Sequence, residues 1–188
     1  TKTDTSLEGK GYAENARLVS TNWVADNIDN DDVVIIDIRK PEDYAAGHLP
    51  GALNYSYKEL QVEKDGVKGL IPPADQIAAK LSSLGVSSSD TIIIYDHIKN
   101  LWASRLLWTL DVYGHENARL MDGSLALWEA EGKAIDTVVP TPSSSTFSSV
   151  SSESNIPLKN TAAPPPIKSS TTTAPIIIRS FFLPPDED

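Results

Sequence analysis

The 188-residue chain contains no cysteine. This absence excludes disulfides, thiolate zinc sites and iron–sulfur clusters, and it leaves the chain without a thiol nucleophile of its own. Basic residues are also few, since 16 Lys and Arg stand against 26 Asp and Glu and the formal net charge is −10. An acidic chain of this kind is a poor candidate for binding nucleic acid or an anionic membrane, and we expect neither partner.

Long apolar runs and targeting signals are scarce as well. No apolar run approaches about 18 residues, so we expect no transmembrane helix. The chain begins at Thr1 and lacks the basic-then-apolar pattern of a secretory signal. Since cysteine-free proteins occur in every compartment, the composition does not decide the location. The cytoplasm is our first expectation, and a removed leader is the alternative.

The composition changes near Pro140. Residues 140–188 contain 9 Pro, 11 Ser and 6 Thr, which together supply 26 of the 49 positions. Such a segment buries too little apolar surface to offset its ordering entropy, except over the apolar stretch 174–183, which could form a strand or dock. We therefore predict an N-terminal extension (1–17), one domain (18–139), and a Pro/Ser/Thr-rich linker and tail (140–188).

Within the predicted domain, apolar β-branched runs alternate with amphipathic segments. The runs at 33–37 and 91–95 are typical of strands buried on both faces, and weaker strands are predicted at 52–55 and 118–121. Helices are predicted over about 20–28, 41–45, 73–84, 101–113 and 123–131. This alternation predicts a parallel sheet with helices on both faces, whose ligand site lies at the carboxyl ends of the strands. Asp37 and Asp96 stand at two of those ends.

Several short motifs point to one family. They are Asp37-Ile38-Arg39, Gly47-His48-Leu49-Pro50-Gly51-Ala52, Ile94-Tyr95-Asp96, Ala103-Ser104-Arg105, Gly114-His115-Glu116-Asn117, Asp122-Gly123-Ser124 and Trp128. In this order and at this spacing they resemble a rhodanese domain over residues 18–135. The finer resemblance is to the amino-terminal domain of tandem thiosulfate or 3-mercaptopyruvate sulfurtransferases. It implies a rhodanese-like α/β fold with a central, mostly parallel five-stranded sheet and helices on both faces.

The resemblance also implies a reaction that this chain lacks the means to perform alone. In the family, a cysteine follows a strand, takes a sulfur atom as a persulfide and passes it to an acceptor. Asp96 stands at that position here, in a loop slightly longer than the family's, and a carboxylate holds no persulfide. The chain therefore resembles a non-catalytic first domain with no catalytic residue of its own. A second, cysteine-bearing rhodanese domain would follow in the full protein or lie on another chain, and the isolated domain would expose an apolar face.

The side chain of Asp96 has two possible roles. In the simpler interpretation it forms a salt bridge or a cap within its own loop. The other is an aspartyl nucleophile, which would need a metal site or an acid partner. The chain has only three scattered histidines and no glycine-rich phosphate motif, so we expect no metal and no cofactor.

Other residues are candidates for a cleft or a partner surface. His48 is expected to hold a turn by a hydrogen bond, while the resemblance also places His48 and Asp37 near a shared cleft. His97, Lys99 and Trp102 belong to the loop and helix start that would dock a partner if the chain were a stand-alone binding or regulatory module. Phosphatase-like chemistry, a third possibility, would also need a loop cysteine.

The remaining polar and aromatic residues are expected to be structural. Arg39 is predicted to pair with a nearby carboxylate or to cap the sheet edge. Arg105 is predicted to pack against a helix neighbour, and the alternative is a substrate ligand or a residue that faces a cleft or a partner. His115 is predicted to be a turn residue. The four tryptophans are predicted to lie in the core; they are Trp23, Trp102, Trp108 and Trp128.

Overall fold

The computed structural model describes residues 4–12, 16–142 and 145–148. The apolar stretch 174–183 lies outside the described residues. In chain order the strands are β1 (Leu18–Val19), β2 (Val33–Asp37), β3 (Leu53–Asn54), β4 (Val62–Lys64), β5 (Val67–Leu70), β6 (Thr91–Tyr95) and β7 (Ala118–Met121). The helices are α1 (Thr21–Asp26), α2 (Pro41–Ala46), α3 (Ala74–Ser83), α4 (Leu101–Val112) and α5 (Ser124–Ala130). Short 3-10 helices cover Thr5–Leu7 and Tyr57–Leu60.

Five strands form a parallel sheet in the order β1-β7-β6-β2-β3. The central pair is β2 and β6, and its register places Asp37 beside Tyr95. Both strands therefore end at the same edge of the sheet, and their following loops meet there. The predicted α/β fold with a five-stranded parallel sheet is confirmed.

The core lies on both faces of this sheet because side chains alternate along each strand. Ile36 and Ile94 point into one apolar cluster, which also contains buried residues of α3 and α4. Ile35 and Ile93 point into the other, together with buried residues of α1 and α5. This two-sided burial explains why β2 and β6 read as continuous apolar runs in the sequence.

Local signals set several helix starts as predicted. The Ser20 hydroxyl accepts a hydrogen bond from the backbone N–H of Trp23 at 3.1 Å, which caps α1. Pro41 occupies the first turn of α2, where its missing N–H costs no hydrogen bond. None of the helices in the described ranges is long and apolar enough to cross a bilayer.

The prediction that all four tryptophans lie in the core is wrong for Trp108. Trp23 and Trp128 are buried and Trp102 is half-buried, but Trp108 is 49% exposed and Leu101 is 60% exposed. These two exposed residues lie seven positions apart, two turns along α4, and therefore share the helix face that points away from the sheet. Apolar residues run around most of α4, so the pattern alone did not identify which face is buried.

Two small elements were not predicted. β1 has only two residues, and β4 and β5 form a separate antiparallel hairpin. The turn of this hairpin is Asp65-Gly66, with φ values of 54° and 79°. An Asp-Gly pair is a common turn between two hairpin strands, so the signal for this hairpin was present in the sequence.

Part of the predicted linker packs against the domain. Phe147 is only 5% exposed and belongs to the apolar cluster formed by α3 and α4. The composition of residues 140–188 gives no sign of this contact, because it depends on a single aromatic residue among many polar ones.

Candidate functional site

The loop between β6 and α4 surrounds the side chain of Asp96. Lys99 and Asn100 both adopt left-handed backbone conformations, with φ values of 52° and 62°. Residues other than glycine rarely adopt this conformation. It folds the loop back so that its backbone N–H groups, and those of the first turn of α4, point at Asp96.

The Asp96 carboxylate accepts four backbone hydrogen bonds. Oδ1 accepts from Ile98 and Asn100, both at 2.8 Å. Oδ2 accepts from Trp102 at 2.9 Å and from Ala103 at 3.3 Å. We call these four N–H groups the amide cradle. Asp96 is 1% exposed, so its charge is held inside the protein by these dipoles and by the N-terminus of α4.

The capping role predicted for Asp96 is confirmed. No lysine, arginine or histidine of the described residues forms an ion pair with it, so the cap and not the salt bridge is the correct version of that prediction. No group of three or more His, Asp or Glu residues suited to a metal ion exists within the described ranges. The interpretation of Asp96 as a nucleophile stays a prediction.

Asn100 ties the same loop to the neighbouring strand and helix. Its Nδ2 donates to the carbonyl of Met121 at 2.8 Å, and its Oδ1 accepts from the hydroxyl of Ser124 at 3.1 Å. The carbonyl of Asp96 accepts from the N–H of Leu125 at 2.9 Å. These bonds hold the loop in place from the β7–α5 side. Sequence analysis missed Asn100, because a polar residue before a helix gives no sign of its distant partners.

Asp37 lies at the end of β2, on the adjacent strand, and is fully buried. Its Oδ2 accepts from Arg39 Nη2 and from the Tyr95 hydroxyl, both at 2.6 Å. Arg39 Nη2 also donates to the carbonyl of Gly47 at 2.6 Å. The predicted pairing of Arg39 with a nearby carboxylate is confirmed, and the pair joins the ends of two strands to the loop after α2.

Burial and charge act together on this network. Burial raises the pKa of Tyr95, and the negative charge of Asp37 and its hydrogen bond raise it further. For Arg39, burial works against the charged form, but the hydrogen bonds and charge of Asp37 outweigh it and raise the pKa of the guanidinium. The network therefore consists of an ionised pair and a neutral tyrosine. Tyr95 was not singled out from the sequence.

His48 is also fully buried. Its Nδ1 lies 2.9 Å from the carbonyl of Tyr44, its Nε2 lies 3.2 Å from the carbonyl of Val138, and its ring stacks on Tyr44 at 3.8 Å. The predicted hydrogen bond that holds the turn is confirmed. Since neither His48 nor Asp37 has exposed surface, their place near a shared cleft stays a prediction.

The other candidates lie at the surface in two groups. His97 and Lys99 are exposed and line a shallow cavity of about 370 Å³ with Asn100, Asp122 and Ser124. The second group surrounds the exposed side of α4. Trp102 stacks on Tyr57 with ring centroids 4.5 Å apart.

Arg105 belongs to this second group. Its Nη2 donates to the carbonyl of Gly69 at 2.6 Å, and its guanidinium lies 5.0 Å from the centre of the Trp108 ring. The packing predicted for Arg105 along its own helix is confirmed, and the bond to Gly69 joins α4 to the β4–β5 hairpin. A role of these surface residues toward a partner stays a prediction.

Five of the nine large apolar side chains that are exposed in the described part of the chain lie around this region. Ile98, Leu101 and Trp108 are 45%, 60% and 49% exposed, and Val67 and Leu70 of the hairpin are 54% and 37% exposed. An exposed apolar surface was expected for a domain with a partner, and the partner itself stays a prediction.

Comparison with known proteins agrees with the fold and with the motifs. A thiosulfate sulfurtransferase of Pseudomonas aeruginosa is 32% identical over 125 residues, which is 66% of this chain and 46% of that protein. Thiosulfate/3-mercaptopyruvate sulfurtransferase 2 of Arabidopsis thaliana is 28% identical over 134 residues, which is 66% of this chain and 39% of that protein. The chain thus spans less than half the length of these curated relatives.

Solved structures show the same fold. The crystal structure of SseA from Escherichia coli, reported with the mechanism of 3-mercaptopyruvate sulfotransferases, matches with a TM-score of 0.65 and 24% identity. The match covers 72% of this chain and 57% of that one. The family described as rhodanese-like domain matches residues 20–131. By its motifs, its sheet and this match, the chain belongs to the rhodanese-like domain family and is related to the thiosulfate and 3-mercaptopyruvate sulfurtransferases.

Proposed function

We propose that this chain is a non-catalytic first domain of a tandem sulfurtransferase. In this proposal, it forms one wall of an active-site cleft whose sulfur-carrying cysteine lies in a second rhodanese domain. The observation that carries the proposal is the occupancy of the amide cradle by Asp96. The relatives named for thiosulfate and 3-mercaptopyruvate suggest those compounds as sulfur donors for the whole protein.

The chemistry of the cradle supports an inactive role for this domain. A cysteine thiolate at position 96 would have its pKa lowered by the four N–H groups and would attack the sulfur of an anionic donor. The carboxylate of Asp96 carries no transferable sulfur, and it already uses all four N–H groups. Its negative charge would also repel an anionic donor.

The length of this chain relative to its relatives and its exposed apolar side chains both support a neighbouring domain. The chain spans 39% and 46% of the two relatives described above, which leaves room in such proteins for a domain of similar size. Ile98 and Leu101 are exposed directly beside the cradle loop, and burying them against a second domain would be favourable at about 25 cal/mol per Å² of apolar surface. A cysteine-bearing rhodanese domain is therefore the partner we propose.

The first test is a cyanide-dependent thiosulfate assay on the purified 188-residue chain. We expect no thiocyanate above the protein-free blank, because the chain has neither a cysteine nor a free amide cradle. Turnover by this chain alone would overturn the proposed mechanism.

The partner is tested separately, by sedimentation of the chain with a cysteine-bearing rhodanese domain supplied on a second chain. We expect association that weakens in Leu101→Asp, because Leu101 is 60% exposed and the change leaves the core untouched. The matched control is Val138→Asp, which places the same charge at a residue that is 68% exposed but distant in sequence from the loop. Equal binding by both variants would contradict the proposed interface.

The same exposed residues keep a second candidate open, a stand-alone binding or regulatory module that docks partners through residues 97–102. Ile98 and Lys99 at the loop tip are the observation that favours it, since both are exposed. In that case, Leu101→Asp and Trp102→Ala would reduce capture of a non-rhodanese protein. Binding that depends on a rhodanese domain instead would favour the tandem arrangement.

A further inference from the structure

A short segment beyond the predicted domain is held on the protein by three kinds of contact. Phe147 inserts its ring into the apolar cluster of α3 and α4 and is 5% exposed. Its backbone N–H donates to the hydroxyl of Ser82 at 2.9 Å, and the N–H of Ser148 donates to the hydroxyl of Ser88 at 2.7 Å. The Ser88 hydroxyl lies 3.4 Å from the carbonyl of Ser148. We call residues 145–148 the strap.

His115 forms one side of the place where Phe147 is seated. It is 7% exposed, and its ring centroid lies 5.2 Å from that of Phe147 with the planes tilted by 51°. The backbone of Asn117 near the ring favours its protonated form, against the larger effect of burial. The Nε2 atom is buried and has no hydrogen-bond partner among the described residues. The proposed function uses neither His115 nor the strap.

We propose that the strap is a latch gated by His115, closed while the imidazole is neutral and released when the imidazole takes up a proton. A neutral imidazole leaves an uncharged lone pair at the buried Nε2, which costs less than an unpartnered charged donor at the same place. A protonated imidazole would place an N–H donor and a positive charge at that buried position without an acceptor, which is strongly unfavourable. Displacing Phe147 would open the position to water and remove the penalty.

The charged groups around His115 only partly offset the cost of protonating the buried imidazole. Asp90, in the turn before β6, and Asp111, on α4, both favour the protonated ring, while Arg17, before β1, opposes it. Arg17 and Asp111 also form an ion pair with each other at 2.7 Å, so their fields on His115 largely cancel. The described strap residues are Ser, Thr, Phe and Ser and add no charge. Burial has the largest influence on the pKa of His115 and lowers it from its ordinary value of 6.5.

The direction of the pH dependence follows from this shift. The released ring binds protons more readily than the enclosed ring, so lowering the pH favours release. The open fraction is lowest above about pH 6.5, and each unit of pH below that value raises it by up to about tenfold, until the enclosed ring also titrates. Mild acid would therefore release residues 145–148 from their place against the domain.

The test is hydrogen exchange at the Phe147 and Ser148 amides of the full 188-residue chain, followed by NMR and corrected for the intrinsic rate at each pH. We expect protection at pH 7.5 relative to a synthetic peptide of residues 140–150, and a loss of protection of up to about tenfold by pH 5.5. In His115→Gln the protection should no longer depend on pH. The matched control, His97→Gln, removes an exposed histidine and should keep the pH dependence of the unmodified chain.

Two results would overturn the proposal. Exchange at the peptide rate at pH 7.5 would show that there is no latch. Identical pH profiles in the unmodified chain and in His115→Gln would show that His115 does not gate it. If His115→Gln fails to fold, the imidazole itself is titrated by NMR. We expect its pKa to lie below 6.5 in the unmodified chain and to rise in Phe147→Ala, and a pKa unaffected by Phe147→Ala would contradict the gating.

Discussion

The Oδ2 atom of Asp96 accepts a hydrogen bond of 2.9 Å from the backbone N–H of Trp102, six residues further along the chain. This bond joins the end of the central strand β6 to the first turn of α4. Together with the bonds from Ile98, Asn100 and Ala103, it makes the carboxylate an internal anion in a site built to hold one. Asp96 thus stabilises the loop because its carboxylate accepts the hydrogen bonds of these four backbone N–H groups.

The first prediction concerns the strength of this internal cap. Asp96→Asn replaces one acceptor oxygen by an NH₂ group, which would face backbone donors in a site that is 1% exposed. Because hydrogen bonds to charged groups contribute about 1.5 to 3 kcal/mol each and do not add fully, we expect a loss of about 2 to 4 kcal/mol in the free energy of unfolding. Urea denaturation followed by tryptophan fluorescence measures it.

Asp111→Asn is the matched control for this measurement. It makes the same chemical change at an ion pair with Arg17 in which both side chains are more than a third exposed. Exposed pairs of this kind contribute less than about 1 kcal/mol. If the two variants lost equal stability, the amide cradle would not be the stabilising feature that we describe.

The second prediction tests the amide cradle as an anion site. Asp96→Cys would place a single thiol within reach of the four N–H groups, in a chain that otherwise has no cysteine. Because these groups stabilise a thiolate, we expect the pKa of this thiol to fall below the value of about 8.5 found for a free cysteine. The pH dependence of the ultraviolet absorbance of the thiolate reports that pKa without requiring a reagent to reach the buried sulfur.

Ser104→Cys is the comparison, since Ser104 is exposed on α4 outside the cradle. Its thiolate absorbance should appear with a midpoint near the ordinary value of about 8.5. A midpoint for Cys at position 96 equal to or above that of the control would mean that the four N–H groups do not act on an anion there.

The third prediction concerns the buried pair formed by Asp37 and Arg39. Arg39→Ala would leave the Asp37 carboxylate charged, buried and without its main donor. Removing one partner of a buried ion pair costs about 3 to 5 kcal/mol, so we expect a loss of that size in the free energy of unfolding. Thermal and urea unfolding measure it.

Tyr95→Phe provides the graded comparison within the same network. It removes only the hydroxyl that donates to Asp37 at 2.6 Å and accepts from the N–H of Leu49 at 3.1 Å. We expect a smaller loss, of about 1 to 3 kcal/mol, because the ion pair remains. A larger loss in Tyr95→Phe than in Arg39→Ala would contradict the order of importance that we assign to these two partners.

The fourth prediction is a pH dependence that arises at the N-terminal extension. Asp4 Oδ2 accepts from the N–H of Ser20 at 2.6 Å, and Oδ1 accepts from the N–H of Ser6 at 2.9 Å and from its hydroxyl at 2.6 Å. Burial alone would raise the pKa of Asp4, but the hydrogen bonds from Ser20 and Ser6 outweigh it and lower the pKa below its ordinary value of 3.8.

A lowered carboxyl pKa stabilises the folded protein above the pKa of the unfolded chain, and this contribution is lost as the pH falls through the folded value. We therefore expect Asp4→Asn to be less stable than the unmodified chain at pH 6, and the difference to shrink below about pH 3.8. Chemical denaturation of both proteins at pH 6 and at a pH below about 3.8 measures the difference in the free energy of unfolding at each pH. A difference that is the same at both would show that Asp4 contributes by packing and not as a carboxylate.

Much of the fold was open to prediction because its signals are local. The apolar run Val33–Asp37, the Ser20 cap and Pro41 at a helix start all act within a few residues of themselves. The pairing of Arg39 with Asp37 is also local, since the two are two positions apart. Trp108 was misassigned because α4 is apolar on nearly every side, and only the packing of the sheet decides which side is covered.

The residue types already determined what chemistry this chain could carry. With no cysteine, and with Asp96 directly after β6, the sequence by itself excluded a thiol reaction of this chain and placed a carboxylate at the strand end. Only the tertiary structure decided that four backbone N–H groups converge on that carboxylate, and that Phe147 seats against His115. The physical reason is that backbone donors are the same in every residue, so their direction depends on how the loop is folded. A contact between positions 115 and 147 likewise depends on the packing of elements far apart in the chain.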